Sequence, residues 1–142
     1  IKESHTELAA IPTRRLTPTP CYGAILYLHG GAYCTGSPDS HREMVGRIAR
    51  TTEREAFILD YRLAPEHPFP AAHEDAMDAS RWIIDNLNAL APNNGEVVIA
   101  GDSAGGNLAL ATSARMPDEP RLRGCLMIYH LNWNLPIARE GP

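Results

Sequence analysis

The chain has 142 residues, of which 44% are hydrophobic and 21% charged, enough apolar material for one domain with a core and too much for a disordered tail. With 13 basic against 17 acidic residues the net charge is −4, so nucleic acid is not an expected partner. No apolar run approaches the ~20 residues that a membrane span needs.

Residues 1–23 are rich in Thr and Pro and are expected to form an irregular or edge segment. From there strand and helix signals alternate. Ala24-Ile25-Leu26-Tyr27-Leu28 is a short apolar strand that ends at His29-Gly30-Gly31. Over 39–52, Met44, Val45, Ile48 and Ala49 fall at helical spacing, with Ser37, Asp39 or Ser40 as candidate caps. Ala56–Leu59 predicts a second buried strand. A Pro-rich connection over 64–70 leads into an amphipathic helix whose stripe is Ala72, Ala76, Ala79, Ile83, Leu87 and Leu90. After a break at Asn93-Asn94-Gly95, Val97–Ala100 is a third strand. It runs into Gly101-Asp102-Ser103-Ala104-Gly105-Gly106 and a helix that reaches about Arg115, before Pro117. Cys125–Tyr129 is a fourth strand. Apolar strands separated by helices predict an α/β fold, a mostly parallel sheet with helices on both faces. Chemistry in such sheets sits at the carboxyl ends of the strands, where both glycine-rich segments fall.

Gly101-x-Ser103-x-Gly105 between a strand and a helix fits a nucleophile elbow. A sharp strand-to-helix turn strains the serine and needs small neighbours. It would present Ser103 at the rim, near a helix N-terminus that favours developing negative charge. The Ala104 N–H then points to where an oxyanion forms. The same letters also suit a Gly-rich turn without chemistry. His29-Gly30-Gly31-Ala32-Tyr33 can likewise be a simple turn, or a loop whose N–H groups approach a substrate oxygen.

His29–Tyr33, the stretch Tyr61-Arg62-Leu63-Ala64-Pro65-Glu66-His67-Pro68-Phe69-Pro70-Ala71-Ala72, and Gly101–Ala109 together resemble the hormone-sensitive lipase family of α/β-hydrolases, bacterial-type carboxylesterases. The resemblance covers about residues 22–129, with three motifs in the family's order and spacing. It implies Ser103 as the nucleophile and the N–H groups of Gly31, Ala32 and Ala104 as the oxyanion hole. The family usually has Gly where this chain has Ala32, a change that keeps the backbone donor. His29 and the Tyr61–Pro65 stretch look like supports of the rim.

The resemblance also implies an acid and a histidine after later strands, and a lid over the acyl pocket. The 39 residues after Ser103 carry no such strands, so the chain reads as a single partial α/β-hydrolase domain, the front half of an esterase core. Asp118 and Glu119 precede the fourth strand. Five strand residues span roughly 17 Å, which puts these acids at the opposite end from Ser103. His130 ends that strand at the active rim, and is either a dyad partner of Ser103 or a loop histidine that lies near it. His41, His67 and His73 are expected on helices or loops in solvent, without ligand spacing for a metal. Trp82 and Trp133 read as packing. The leading expectation is a serine carboxylesterase acting on small-molecule esters of short to medium acyl chain, without cofactor or metal. The alternative is a catalytically impaired, hydrolase-like binding module. Cys21, Cys34 and Cys125 show neither zinc nor disulfide spacing, which suits a reducing, cytoplasmic location. A sheet that stops at the fourth strand leaves an apolar edge, and a homo-oligomer through that edge is expected.

Overall fold

The computed structural model describes residues 1–91 and 95–129. Its strands are β1 (Lys2–Leu8), β2 (Ile11–Thr17), β3 (Ala24–Leu28), β4 (Glu55–Leu59), β5 (Val97–Asp102) and β6 (Leu122–Ile128). Its helices are α1 (Pro38–Thr52), α2 (Ala71–Leu90) and α3 (Ala104–Ala114). The strands form one sheet in the order β1-β2-β4-β3-β5-β6. Its β4-β3-β5-β6 part is parallel, and β2 and β1 add antiparallel at one side.

The first 23 residues are therefore more regular than their composition predicts. β1 and β2 make a hairpin in which Leu8 pairs with Ile11, leaving Ala9 and Ala10 as the loop. Both alanines have positive φ, 50° and 65°, the geometry of a tight two-residue hairpin turn. Such turns are usually signalled by Asn or Gly, and the Ala-Ala pair hides this one. Thr13 and Leu16 of β2 are buried, so the hairpin extends the core as an edge layer.

Strand alternation divides the interior in two. Ala24, Leu26 and Leu28 of β3 face a cluster with Phe57, Leu59, Ile99 and the inner stripe of α2. Ile25 and Tyr27 face the other side, with Ile58, Ala100 and the α1 residues Val45 and Ala49. One face thus carries α1 and the other α2 and α3, the two-sided cover that a parallel sheet requires. The α2 stripe is buried at Ala72, Ala76, Ala79, Ile83 and Leu87, and Leu90 and Trp82 pack at its margin. Trp133 lies outside the described residues.

Local chemistry fixes the α1 boundaries. Ser37 is its N-cap: the Ser37 side chain accepts from the Ser40 N–H at 3.3 Å, and the Ser40 hydroxyl accepts from the Ser37 N–H at 3.0 Å. This reciprocal pair is a capping box with Ser in the place usually taken by Glu or Gln, and such caps contribute about 1 kcal/mol. Pro38 occupies the first turn, where its missing N–H costs nothing, and Glu53 ends the helix in the left-handed region at φ 52°.

The tightest contact is between α3 and β3. A Cβ placed on Gly105 would overlap the Leu28 carbonyl oxygen and lie 2.6 Å from its carbon and 2.7 Å from the His29 carbonyl oxygen. All three are backbone atoms that cannot swing aside. Gly105→Ala is therefore expected to cost about 3 kcal/mol or more, at the severe end for a single substitution. Urea unfolding tests this, and a loss under about 0.5 kcal/mol would show that α3 can back away from the sheet.

Candidate active site

In the parallel register Leu28 of β3 lies opposite Gly101 of β5, so the segments leaving these strands emerge side by side. At the end of β5 the chain turns directly into α3 through Ser103, which has φ 52° and ψ −120°. That backbone is strained for a residue with a Cβ, costing of order 1–3 kcal/mol, and it persists because the surroundings fix it. The Ser103 N–H donates to the Ile128 carbonyl of β6 at 3.1 Å. Its side chain makes no capping bond to α3, so the hydroxyl is not spent on holding the helix. Ala104 is the first residue of α3, where an N–H has no acceptor within the helix.

The neighbouring loop is equally constrained. Gly31 has φ 134°, and Ala32 and Tyr33 follow at 53° and 63°. The Gly31 carbonyl accepts from the Cys34 and Thr35 N–H groups at 3.0 and 2.9 Å, and the Tyr33 carbonyl accepts from the Ala64 N–H at 2.8 Å. Among the described residues no turn, loop or cap bond is donated by the N–H of Gly31, Ala32 or Ala104. Among the described residues, three N–H groups that donate no such bond and a hydroxyl free of the helix cap thus stand at one rim. Ala32 is exposed and Ser103 is partly so.

Beneath the loop lies a buried polar layer. The His29 ring is fully buried and stacks on Tyr61, with centroids 4.4 Å apart and an interplanar angle of 18°. The Tyr61 hydroxyl donates to the His29 carbonyl at 2.5 Å. His29 Nδ1 donates to the Gly30 carbonyl at 2.9 Å, and among the described residues the buried Nε2 lone pair has no partner. Burial lowers the His29 pKa below its ordinary 6.5, so the ring is held neutral. Arg62, next to Tyr61, binds the buried Asp75 of α2 through its backbone N–H at 2.9 Å and its guanidinium at 2.8 Å. His29 and the Tyr61–Pro65 stretch are thus rim supports in contact and bonding.

Sequence reasoning missed the centre of this layer. Asp102 is buried and accepts from the Tyr27 hydroxyl at 2.9 Å and the Gly30 N–H at 3.0 Å. Its other oxygen meets His41 Nε2 at 3.1 Å. Burial, with the Asp102 carboxylate beside it, pushes the Tyr27 phenol far above its ordinary pKa and keeps it a donor. His41 was expected in solvent. Instead it sits one helical turn before Val45, on the inward stripe of α1. That spacing was the available signal. His41 is not placed as the base for Ser103, since Nε2 is taken by Asp102 and Nδ1 by the Ser40 hydroxyl at 2.8 Å. His73 is half-buried against Tyr33, with ring centroids 6.0 Å apart, whereas His67 is exposed as expected. His130 lies outside the described residues.

A sequence profile of the alpha/beta hydrolase fold matches residues 25–139. An esterase, LipI, of Mycobacterium tuberculosis is 38% identical over 109 residues, which are 77% of this chain and 33% of the relative. An ethyl acetate hydrolase of Pseudomonas putida is 38% identical over 117 residues, 79% of this chain and 36% of the relative. A crystal structure of a hormone-sensitive lipase from a metagenome library superimposes with a TM-score of 0.78 at 36% identity, over 89% of this chain and 42% of the other. The chain belongs to the hormone-sensitive lipase family of α/β-hydrolases. It spans about a third of the length of the curated relatives it matches. No described helix of this family member is long and apolar enough to cross a membrane. Cys21, Cys34 and Cys125 are free thiols.

The neutral His29 links stability to pH. An unfolded chain takes up a proton at the ordinary imidazole pKa of 6.5, whereas the folded chain resists it. The stability is complete above about 6.5 and is lost as pH falls from there through the lower folded value. Thermal melts between pH 7.5 and 5.5 should show a falling Tm, with a shallower fall in His29→Gln. His73, whose pKa burial also lowers, remains in both proteins and cancels from the comparison. Parallel curves for the two proteins would show that the His29 ring accepts its proton without strain.

Proposed function

We propose that the protein carrying this chain is a serine carboxylesterase that hydrolyses small-molecule carboxylic esters through an acyl-enzyme on Ser103. The observation that carries this reading is the strained Ser103 backbone, at φ 52° and ψ −120°, beside a loop with unspent N–H donors. The relatives named as esterase and ethyl acetate hydrolase support the same reaction class, and the second name favours short acyl chains.

Ser103 Oγ attacks the ester carbonyl carbon and its proton passes to a histidine base. The carbonyl oxygen becomes an oxyanion, which the N–H groups of Gly31, Ala32 and Ala104 hold. Donors fixed before the reaction need no reorganisation as charge develops, and removing one such donor typically costs about 10²–10³-fold in rate. The tetrahedral intermediate collapses, the protonated base gives its proton to the leaving alkoxide, and an alcohol departs. Water then attacks the acyl-enzyme by the same route and releases the acid. Ala32 supplies its N–H as a glycine would, and its methyl narrows the space beside the acyl group. The left-handed φ at Ala32 and Tyr33 makes a tight turn, a conformation in which successive N–H groups can gather on an anion.

The test uses the full-length protein and p-nitrophenyl butyrate. Ser103→Ala should lower kcat by about 10⁴-fold or more, because nucleophile and base act as a unit. A serine-directed organophosphate should add once, at Ser103, as read by peptide mass spectrometry. An alanine variant with parental turnover, or label on another residue, would remove Ser103 from the mechanism.

A further inference from the structure

The two halves of the proposed oxyanion hole come from different strands. Gly31 and Ala32 follow β3, and Ala104 follows β5. An oxyanion held by both needs their separation fixed to a fraction of an ångström. Beyond the strand pairing and the packing of α3, one side chain spans them. Asp102 immediately precedes Ser103 and accepts the N–H of Gly30, which immediately precedes Gly31, at 3.0 Å. A Cβ on Gly30 would run into the Asp102 carboxylate, so the residue type at position 30 is itself set by this contact. One oxygen of Asp102 is shared between Gly30 and Tyr27, and the other faces His41 Nε2 at 3.1 Å. His41 is held from behind: its Nδ1 is 2.8 Å from the Ser40 hydroxyl, which is part of the α1 capping box. The His41 ring also lies 5.6 Å from the His29 ring, centroid to centroid, beneath the same loop.

We infer that His41 is a positioning residue: by donating from Nε2 to Asp102 it locks the carboxylate that ties the Gly30–Ala32 loop to the Ser103 elbow. This rests on the esterase reading for its catalytic consequence, but not for the coupling itself. His41 reaches no reacting atom, so its loss should act on the transition state through loop placement and leave ground-state binding largely intact. Without it, the second Asp102 oxygen loses a donor in a buried place, and the carboxylate is free to rotate away from Gly30.

Two variants of the full-length protein separate positioning from bulk. His41→Phe keeps an aromatic ring under the loop and removes the donor. His41→Gln keeps an N–H donor at about the place of Nε2. With p-nitrophenyl butyrate, His41→Phe should lose about 10- to 100-fold in kcat with KM changed less than about threefold, as expected for sub-ångström misplacement. His41→Gln should recover kcat to within about threefold of the parent. In hydrogen–deuterium exchange, a peptide covering 29–33 should exchange faster in His41→Phe than in either other protein. A His41→Phe enzyme with parental kcat, equal losses in Phe and Gln, or unchanged exchange over 29–33 would overturn the inference. Ser103→Ala run alongside keeps the two readings apart. If that variant retains parental turnover the esterase reading fails, and the exchange comparison still decides whether His41 holds the loop.

Discussion

The approach of α3 to the end of β3 sets the terms for the rest of the molecule. Gly105 sits against the Leu28 carbonyl with no room for a side chain. With the helix pressed that closely on the sheet, the chain leaving β5 has one residue in which to reverse direction, and that residue is Ser103 at φ 52°. The strain at the serine is thus the consequence of a packing distance. The same distance brings the start of α3 to the rim, where the Ala104 N–H is an orphan of any helix start. It also puts the elbow beside the loop from β3, because Gly101 and Leu28 are register partners. A helix held farther out would relax the serine and move the start of α3 away from the loop after β3.

Above the apolar core, the carboxyl ends of the strands carry a second layer made of polar side chains. Tyr27, His29, Tyr61 and Asp102 are all nearly inaccessible, and each has a defined partner. A buried carboxylate is expensive unless its lone pairs are used, and Asp102 uses them on a phenol, a backbone amide and an imidazole. Breaking such a set by removing one member costs more than the set contributes, since it strands a charge. That asymmetry favours one geometry over its neighbours. Among the described residues His29 Nε2 has no partner, a place where the layer trades satisfaction for the stacking of two rings.

Much of this was legible from spacing alone. The apolar runs at 24–28, 56–59 and 97–100 are strands within a residue or two, and the stripe from Ala72 to Leu90 is the inner face of α2. These elements declare themselves because each is buried along its length and local pattern reports burial. The two glycine-rich segments fall at the rim because parallel topology puts all crossovers' starting ends together. The hairpin at 1–17 was opaque for a local reason: its turn is Ala9-Ala10, and its outer strand is polar on most positions. The Asp102 network was opaque for a different one. Asp102 and Tyr27 are neighbours only through strand register, and His41 joins them from a helix 61 residues earlier in the chain. The four-residue spacing of His41 from Val45 carried a signal that the expectation of a solvent position passed over, and no spacing could reveal that a carboxylate awaits it there.

Ala32, Tyr33 and Ser103 are among the residues with a Cβ that hold positive φ at this rim. At roughly 1–2 kcal/mol each, their strain is a sizeable part of a small domain's net stability. It persists because the surroundings hold the segments that carry it. The Tyr33 carbonyl is tied to Ala64, Gly31 to Cys34 and Thr35, and Ser103 to Ile128. The ties to Ala64 and Ile128 run to two different elements, so neither element can relax both segments by moving alone. Glycine at 32 would be conformationally easier and would also make the loop easier to deform, since it has more backbone states to visit. A stiffer residue in a left-handed conformation exchanges stability for definition of where its N–H points. The frame that enforces this therefore extends past the motif residues into α1 and the 61–75 connection, and the site is a property of how the layers meet as well as of the two short sequences that mark it.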